Sequence, residues 1–142
     1  MSEKKYKVGY TTGVFDMFHV GHLNILERAK SMCDTLVVGV TTDALCYSRK
    51  NKYPIICECD RVNIVKAIRY VDKVVLQTNM DKVSFVKENG IDVVFVGSDW
   101  KGTKEWNNYE RQFADVGCQV VYLEHTDGIS STILRERLNN NE

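Results

Sequence analysis

The chain has 142 residues, a length that buries a core without disulfide or metal staples and that implies one domain over residues 1–142. Its 19 basic and 19 acidic residues balance to a formal net charge of zero, which argues against a general polyanion-binding surface and so against nucleic acid as a partner. The charged start MSEKKYKVGY has no signal-peptide core, and no apolar run reaches about 18 residues, so a cytoplasmic protein without a membrane partner is expected.

Lys7 to Thr12 reads as a first strand. From His22 onward the apolar positions Ile25, Leu26, Ala29, Met32 and Cys33 fall at a helical period. Thr35 to Val40 is a short β-branched run, as in a strand covered on both faces. Thr42 to Glu58 lacks periodicity, carries Arg49, Lys50, Lys52 and the sole proline, Pro54, and predicts a functional loop. Cys59 to Tyr70 is helical, Lys73 to Leu76 a short strand, and Asp81 to Asn89 a helix closed by Gly90. Asp92 to Val96 is a buried strand, and Thr103 to Val116 a helix ending at Gly117. Gln119 to Leu123 is the last strand, Ser130 to Leu138 the last helix, and Asn139 to Glu142 a frayed tail. Five alternations of strand and helix predict an α/β protein: a single-domain Rossmann-like α/β/α sandwich with a five-stranded parallel sheet and right-handed crossovers.

Such sheets bind ligands beyond the carboxyl ends of their strands, at the topological switch point. Four polar segments should meet there: Gly13 to His22, the Lys50 loop, Gly97-Ser98-Asp99-Trp100, and His125 to Thr132. In the first, TTGVFDMFHVGH, His19 and His22 share a face of an opening helical turn, with Gly21 between them clearing space for a ligand. His22 alone would equally suit a buried stripe with Leu26, Ala29 and Cys33. Asp16 either orients a ring or holds the turn. In HTDGISST, Gly128 and three hydroxyl residues open a helix, a pattern that caps the helix and also suits a polyphosphate, with Arg135 one turn further on. Lys50-Asn51-Lys52 is a solvated run unless it borders a phosphate pocket, where two ammonium groups neutralise incoming and leaving phosphates. Arg61, in a first helical turn where a cation opposes the dipole, hints at an anionic partner.

The five cysteines, Cys33, Cys46, Cys57, Cys59 and Cys118, are an odd number and do not read as a disulfide framework. Cys57-Glu58-Cys59 has no second pair at zinc spacing, so no protein-held metal is expected. The P-loop, GxGxxG and GxSxG patterns are absent.

TTGVFDMFHVGH followed by HTDGISST resembles the cytidylyltransferase branch of the HxGH nucleotidyltransferases, and ERAK, VVGVTTD, AIRYVDKVV, Asp99-Trp100 and VVYL extend the likeness over nearly the whole chain. The resemblance implies that CTP and a small phosphorylated alcohol, glycerol-3-phosphate foremost, give a CDP-alcohol and pyrophosphate. It implies that Gly13, Val14 and Phe15 contact the nucleotide by backbone, that His19 and His22 bind phosphates at the reacting centre, and that Lys50 and Lys52 serve the incoming phosphate and CTP. It further implies nucleotide contacts from Asp99 and from His125, Thr126, Gly128, Ile129, Ser130, Ser131 and Thr132, and acceptor contacts from Asp16, Arg61, Lys82 and Arg135. Mg²⁺ carried on the nucleotide phosphates and a homodimer are implied as well. Two positions depart from the pattern: His125 stands where the signature usually begins with arginine, and Ser98 where aspartate often precedes Asp99-Trp100. ISSTILRE with Arg135 leans toward relatives that use ATP, so an adenylyltransferase acting on a sugar phosphate or flavin mononucleotide is the alternative, and a non-catalytic nucleotide-binding module is a third reading.

Overall fold

The computed structural model describes residues 5–126 and 128–140. Five strands, β1 (Tyr6–Gly13), β2 (Cys33–Thr41), β3 (Lys73–Gln77), β4 (Val93–Gly97) and β5 (Gln119–Leu123), form one parallel sheet in the order β3-β2-β1-β4-β5. The order reverses between β1 and β4, where Gly9, Tyr10 and Thr11 pair with Val93, Val94 and Phe95. That reversal is the switch point at which an α/β sheet opens a crevice.

The strands alternate between two cores, as a sheet covered on both faces requires. Leu36, Val38, Val40, Val93 and Phe95 face α1 (Val20–Ser31) and α3 (Glu58–Lys66), meeting Leu26, Ala29 and Val65. Tyr10, Val37 and Val94 face the other side, where Val86 of α4 (Lys82–Asn89) and Trp106 and Phe113 of α5 (Lys104–Asp115) pack. Burying each of these large side chains contributes about 1.5–3 kcal/mol.

Four boundaries differ from the expectation. Thr42 to Glu58 is not structureless: α2 (Asp43–Lys50) fills its first half, because the Thr42 hydroxyl caps the Leu45 N–H at 3.1 Å and Asn51, at φ 58°, closes the helix in the left-handed region. Cys33 begins β2 instead of ending α1, whose C-cap is Met32. The helix expected to reach Tyr70 stops at Lys66, capped by Ala67. Finally, α6 (Ser131–Asn140) includes Asn139 and Asn140, which are helical, not frayed; residues 141–142 lie outside the described residues.

Candidate active site

At the end of β1 the chain turns sharply, with Phe15 (φ 56°) and Met17 (φ 49°) both in the left-handed region that non-glycine residues rarely adopt. Asp16 between them is buried, and its carboxylate holds the turn to two distant segments. It accepts the Ile55 and Ile56 N–H groups at 2.8 Å each and pairs with Arg135 of α6 at 2.5 Å. Burial pushes the Asp16 carboxyl up, but the Ile55 and Ile56 amides and Arg135 outweigh it and hold the group below its ordinary range. Asp16 is therefore a structural latch, the turn-holding reading of the sequence, while it also lines the cleft. Ser131 reinforces it by donating to the Asp16 carbonyl at 2.6 Å.

His19 is the N-cap of α1. Its Nδ1 accepts from the Gly21 N–H at 3.0 Å, and its own N–H donates to His22 Nδ1 at 3.1 Å. The two imidazoles thus make a reciprocal capping box, and their rings stack with centroids 3.9 Å apart. Because both Nδ1 atoms accept, each neutral ring carries its proton on Nε2, which leaves an N–H donor for a ligand. A side chain at Gly21 would lie 2.8 Å from the His19 ring, so this glycine makes room for His19 and not directly for a ligand, as was expected.

Burial, with the adjacent His19, pushes the His22 pKa down to about 4, and burial also lowers that of His19. Both rings are neutral donors at neutral pH. The depressed folded-state value means that the unfolded chain binds the extra proton between about pH 6.5 and 4. The stability contribution is complete above about pH 6.5 and is lost as pH falls through about 4. Thermal melts across this range should show a fall in Tm on acidification that is smaller in His22→Gln; equal slopes in the two proteins would contradict the assignment.

A cleft of about 770 Å³ opens beside these residues. Its lining draws on all four expected segments: Val14, Phe15, Asp16 and His22 from the first, Lys50 and Lys52 from the second, Trp100 from the third, and His125, Ser131 and Thr132 from the fourth. His22 lines it, and the His19 ring stacks on His22 behind that wall without lining the cleft itself. Arg135 also borders the cleft. Gly13 lines an adjoining cavity of about 200 Å³ with Phe95, Val96, Gly97 and His125.

Of the remaining signature residues, Thr126 accepts from Asn24 Nδ2 at 2.8 Å, Gly128 turns at φ 78°, and Ile129 packs near Gly21. The Ser130 hydroxyl caps the Ile133 N–H at 3.1 Å. Asp127, within the same signature, lies outside the described residues. His125 Nε2 pairs with Asp99 at 3.0 Å, and its ring fills the space that a side chain at Gly97 would need, since such a Cβ would lie 2.9 Å away.

Arg61 departs most from its expected role. It is fully buried and does not line the cleft. Its guanidinium donates to the carbonyls of Ile56 (2.9 Å), Val14 (2.7 Å) and Thr41 (2.7 Å) and pairs with Asp43 at 2.6 Å. It fixes the backbone of the loops around the cleft, where the resemblance implied an acceptor contact. Lys82 stands apart from the large cleft, in a second cavity of about 270 Å³ that shares Val14, Cys46, Lys50 and Trp100 with it. Sequence reasoning left Cys46, Tyr53, Pro54, Arg49, Gln77 and Glu105 out of the site. The Thr42 cap followed by Asp43 was the available signal for α2, which carries Cys46 and Arg49 to the rim.

Among the described residues no group of three or more His, Cys, Asp and Glu side chains is arranged to hold a metal ion. None of the helices there is long and apolar enough to cross a membrane.

The family model described as "Cytidylyltransferase-like" matches residues 10–137. The glycerol-3-phosphate cytidylyltransferase of Bacillus subtilis (strain 168) is 38% identical over 129 residues, covering 90% of this chain and 94% of that protein. An FAD synthase of Thermococcus sibiricus is 38% identical over 124 residues, covering 87% and 84%. A solved structure, a lipopolysaccharide core biosynthesis protein from Thermoplasma volcanium GSS1, superposes with a TM-score of 0.71 at 28% identity, covering 84% of this chain and 96% of that one.

Proposed function

The chain belongs to the cytidylyltransferase-like family, and from that premise we propose that it transfers a cytidylyl group from CTP to glycerol-3-phosphate, releasing pyrophosphate and CDP-glycerol. One observation carries the reading. Two motifs about a hundred residues apart, represented by His22 and by Ser131 and Thr132, border one cleft together with Lys50 and Lys52.

The chemistry needs no covalent intermediate. A phosphate monoester has a second pKa near 6 and is already a dianion at neutral pH, so no strong general base is required. The difficulty is holding two repelling polyanions in line, and positioning supplies roughly 7–11 kcal/mol in favourable cases. An acceptor phosphate oxygen attacks the α-phosphorus, the bond to the β-phosphate oxygen breaks, and pyrophosphate leaves with inversion. His19 and His22 offer neutral Nε2–H donors, Lys52 and the opening turn of α6 hold the outgoing phosphates, and Lys50, common to both cavities, meets the attacking and leaving groups. The small cavity bounded by Thr11, Gly97 and His125 takes the nucleoside. Lys82 attracts the acceptor phosphate. The Mg²⁺ enters as part of the nucleotide substrate, bound to its phosphates. Asp16, the carboxylate at the cleft, has both oxygens occupied, so the ion depends on the nucleotide for its ligands.

The same reading places the reaction in the cytoplasm, where nucleoside triphosphates are made. The free thiols of Cys46, Cys57, Cys59 and Cys118 accord with a reducing compartment. It also includes a homodimer, for which the exposed Tyr47–Tyr53 stack and Ile55 leave apolar surface; sedimentation tests this.

The FAD synthase relative keeps adenylyl transfer to flavin mononucleotide as a second reading. A pyrophosphate-release screen of CTP and ATP against glycerol-3-phosphate, a sugar phosphate and flavin mononucleotide decides between them. CTP with glycerol-3-phosphate should give the highest kcat/KM; faster release from ATP with flavin mononucleotide would replace the first reading by the second.

A further inference from the structure

The cavity of about 270 Å³ beside the main cleft has a charge balance that the transfer reaction alone does not explain. Its charged lining is Arg49, Lys50, Lys82 and Glu105, three cations against one carboxylate, leaving two formal positive charges. Arg49 and Glu105 come from different helices, α2 and α5, and their charged groups stand 3.9 Å apart, a loose pair that a ligand can enter. Lys82 lies over the Trp106 ring at 4.7 Å and the Tyr109 ring at 5.5 Å, so its ammonium is held in place by aromatic faces.

The neutral lining is equally specific. Thr41 donates to Gln77 Oε1 at 2.8 Å, which fixes the amide. Gln77 is 7% exposed, and among the described residues its Nε2 has for partner only the Met80 thioether at 3.8 Å, a weak acceptor. A buried amide so poorly matched is a ready donor for a ligand oxygen.

We infer that Arg49 and Glu105 are specificity-determining residues that restrict the acceptor to a polyol phosphate, a dianion with hydroxyls and no cationic group; the inference rests on the proposed nucleotidyl transfer. A phosphate dianion matches the two surplus positive charges. Arg49 and Lys82 take its oxygens in charge-assisted hydrogen bonds. Glu105 accepts from a hydroxyl on the acceptor's carbon chain, and Gln77 donates to one. An acceptor with an ammonium tail brings a fourth cation into a low-dielectric pocket already holding three against one carboxylate, which is repulsive selection against the wrong partner. The site volume suits a molecule of a few carbons.

The test measures kcat/KM for glycerol-3-phosphate and ethanolamine phosphate, with CTP, in the wild type, Arg49→Gln and Glu105→Ala. The wild type should favour glycerol-3-phosphate by at least about tenfold, the scale of one charge-assisted hydrogen bond. Arg49→Gln should raise the KM for glycerol-3-phosphate by about tenfold, leave the KM for CTP unchanged, and cost ethanolamine phosphate less, because its lost phosphate contact is offset by one cation fewer facing its ammonium. Glu105→Ala should raise the KM for glycerol-3-phosphate through the lost hydroxyl contact and should raise that for ethanolamine phosphate as well, because three cations then face its ammonium with no carboxylate beside them. Equal loss on both acceptors in Arg49→Gln, or a wild type that prefers ethanolamine phosphate, overturns the inference. Absence of all turnover with CTP overturns the functional reading instead, and the same acceptor ratios measured with ATP then decide the specificity claim.

Discussion

Replacing His22 by alanine is expected to lower kcat at least about 100-fold, the scale of removing one preorganised donor aimed at developing charge. The same is expected of His19→Ala. Each histidine supplies an Nε2–H, and each holds the other's position: His22 Nδ1 accepts the His19 N–H, while His19 Nδ1 accepts the Gly21 N–H. Because the two act as one unit, the double variant should be scarcely slower than either single one. Asparagine at position 19 keeps an N-cap acceptor and so preserves the fold of α1. His19→Asn should therefore melt near the parent and still be slow. Steady-state kinetics beside thermal melts check this. Near-normal turnover in both alanine variants would show that the imidazoles only cap the helix.

Arg61→Met carries the second large effect, on stability. It strips donors from three backbone carbonyls and leaves Asp43 without its partner. Asp43 is 37% exposed and keeps the Glu58 N–H, so the cost comes chiefly from the carbonyls left without a donor, about 1–3 kcal/mol each, against a total domain stability of only about 5–15 kcal/mol. The Tm should fall by on the order of 10 °C. Arg61→Lys should not restore it, because an ammonium cannot reproduce the planar fork that spans Ile56, Val14, Thr41 and Asp43. A melting point close to the parent's, with the acceptor KM alone raised, would instead return Arg61 to the substrate-binding role that its sequence position suggests.

Arg61 and Asp16 also show where the sequence stops being informative. A charged residue beside a phosphate-binding motif reads the same whether it meets the ligand or ties the motif's loop in place. The difference is geometric: Arg61 points inward to carbonyls, and Asp16 is surrounded by the Ile55 and Ile56 amides and Arg135. No spacing rule predicts those partners, which come from segments about forty and over a hundred residues away. By contrast, the five strands are legible because buried parallel strands are written as short runs with no charged residue and many β-branched ones, such as Leu36 to Val40. The convergence of the four polar segments follows from that sheet. The short α2 escaped notice because its eight residues bury only Cys46, too little to make a periodic stripe, although its Thr42 cap is visible. The second cavity was hidden for a related reason, as it is assembled from a few side chains each on α2, β3, α4 and α5 together with the ends of β1, β2 and β4.

Much of this rests on the two distant motifs gripping one triphosphate. Titrating isotopically labelled protein with CTP, while following the imidazole resonances of His19 and His22 and the backbone amides of Ser131 and Thr132, tests that directly. Both sets should shift along one saturation curve with a single Kd, and the imidazole shifts should report a retained or gained Nε2 proton. A response from one set alone, or two curves with different midpoints, would mean that the histidines and the serine-rich turn do not serve the same ligand.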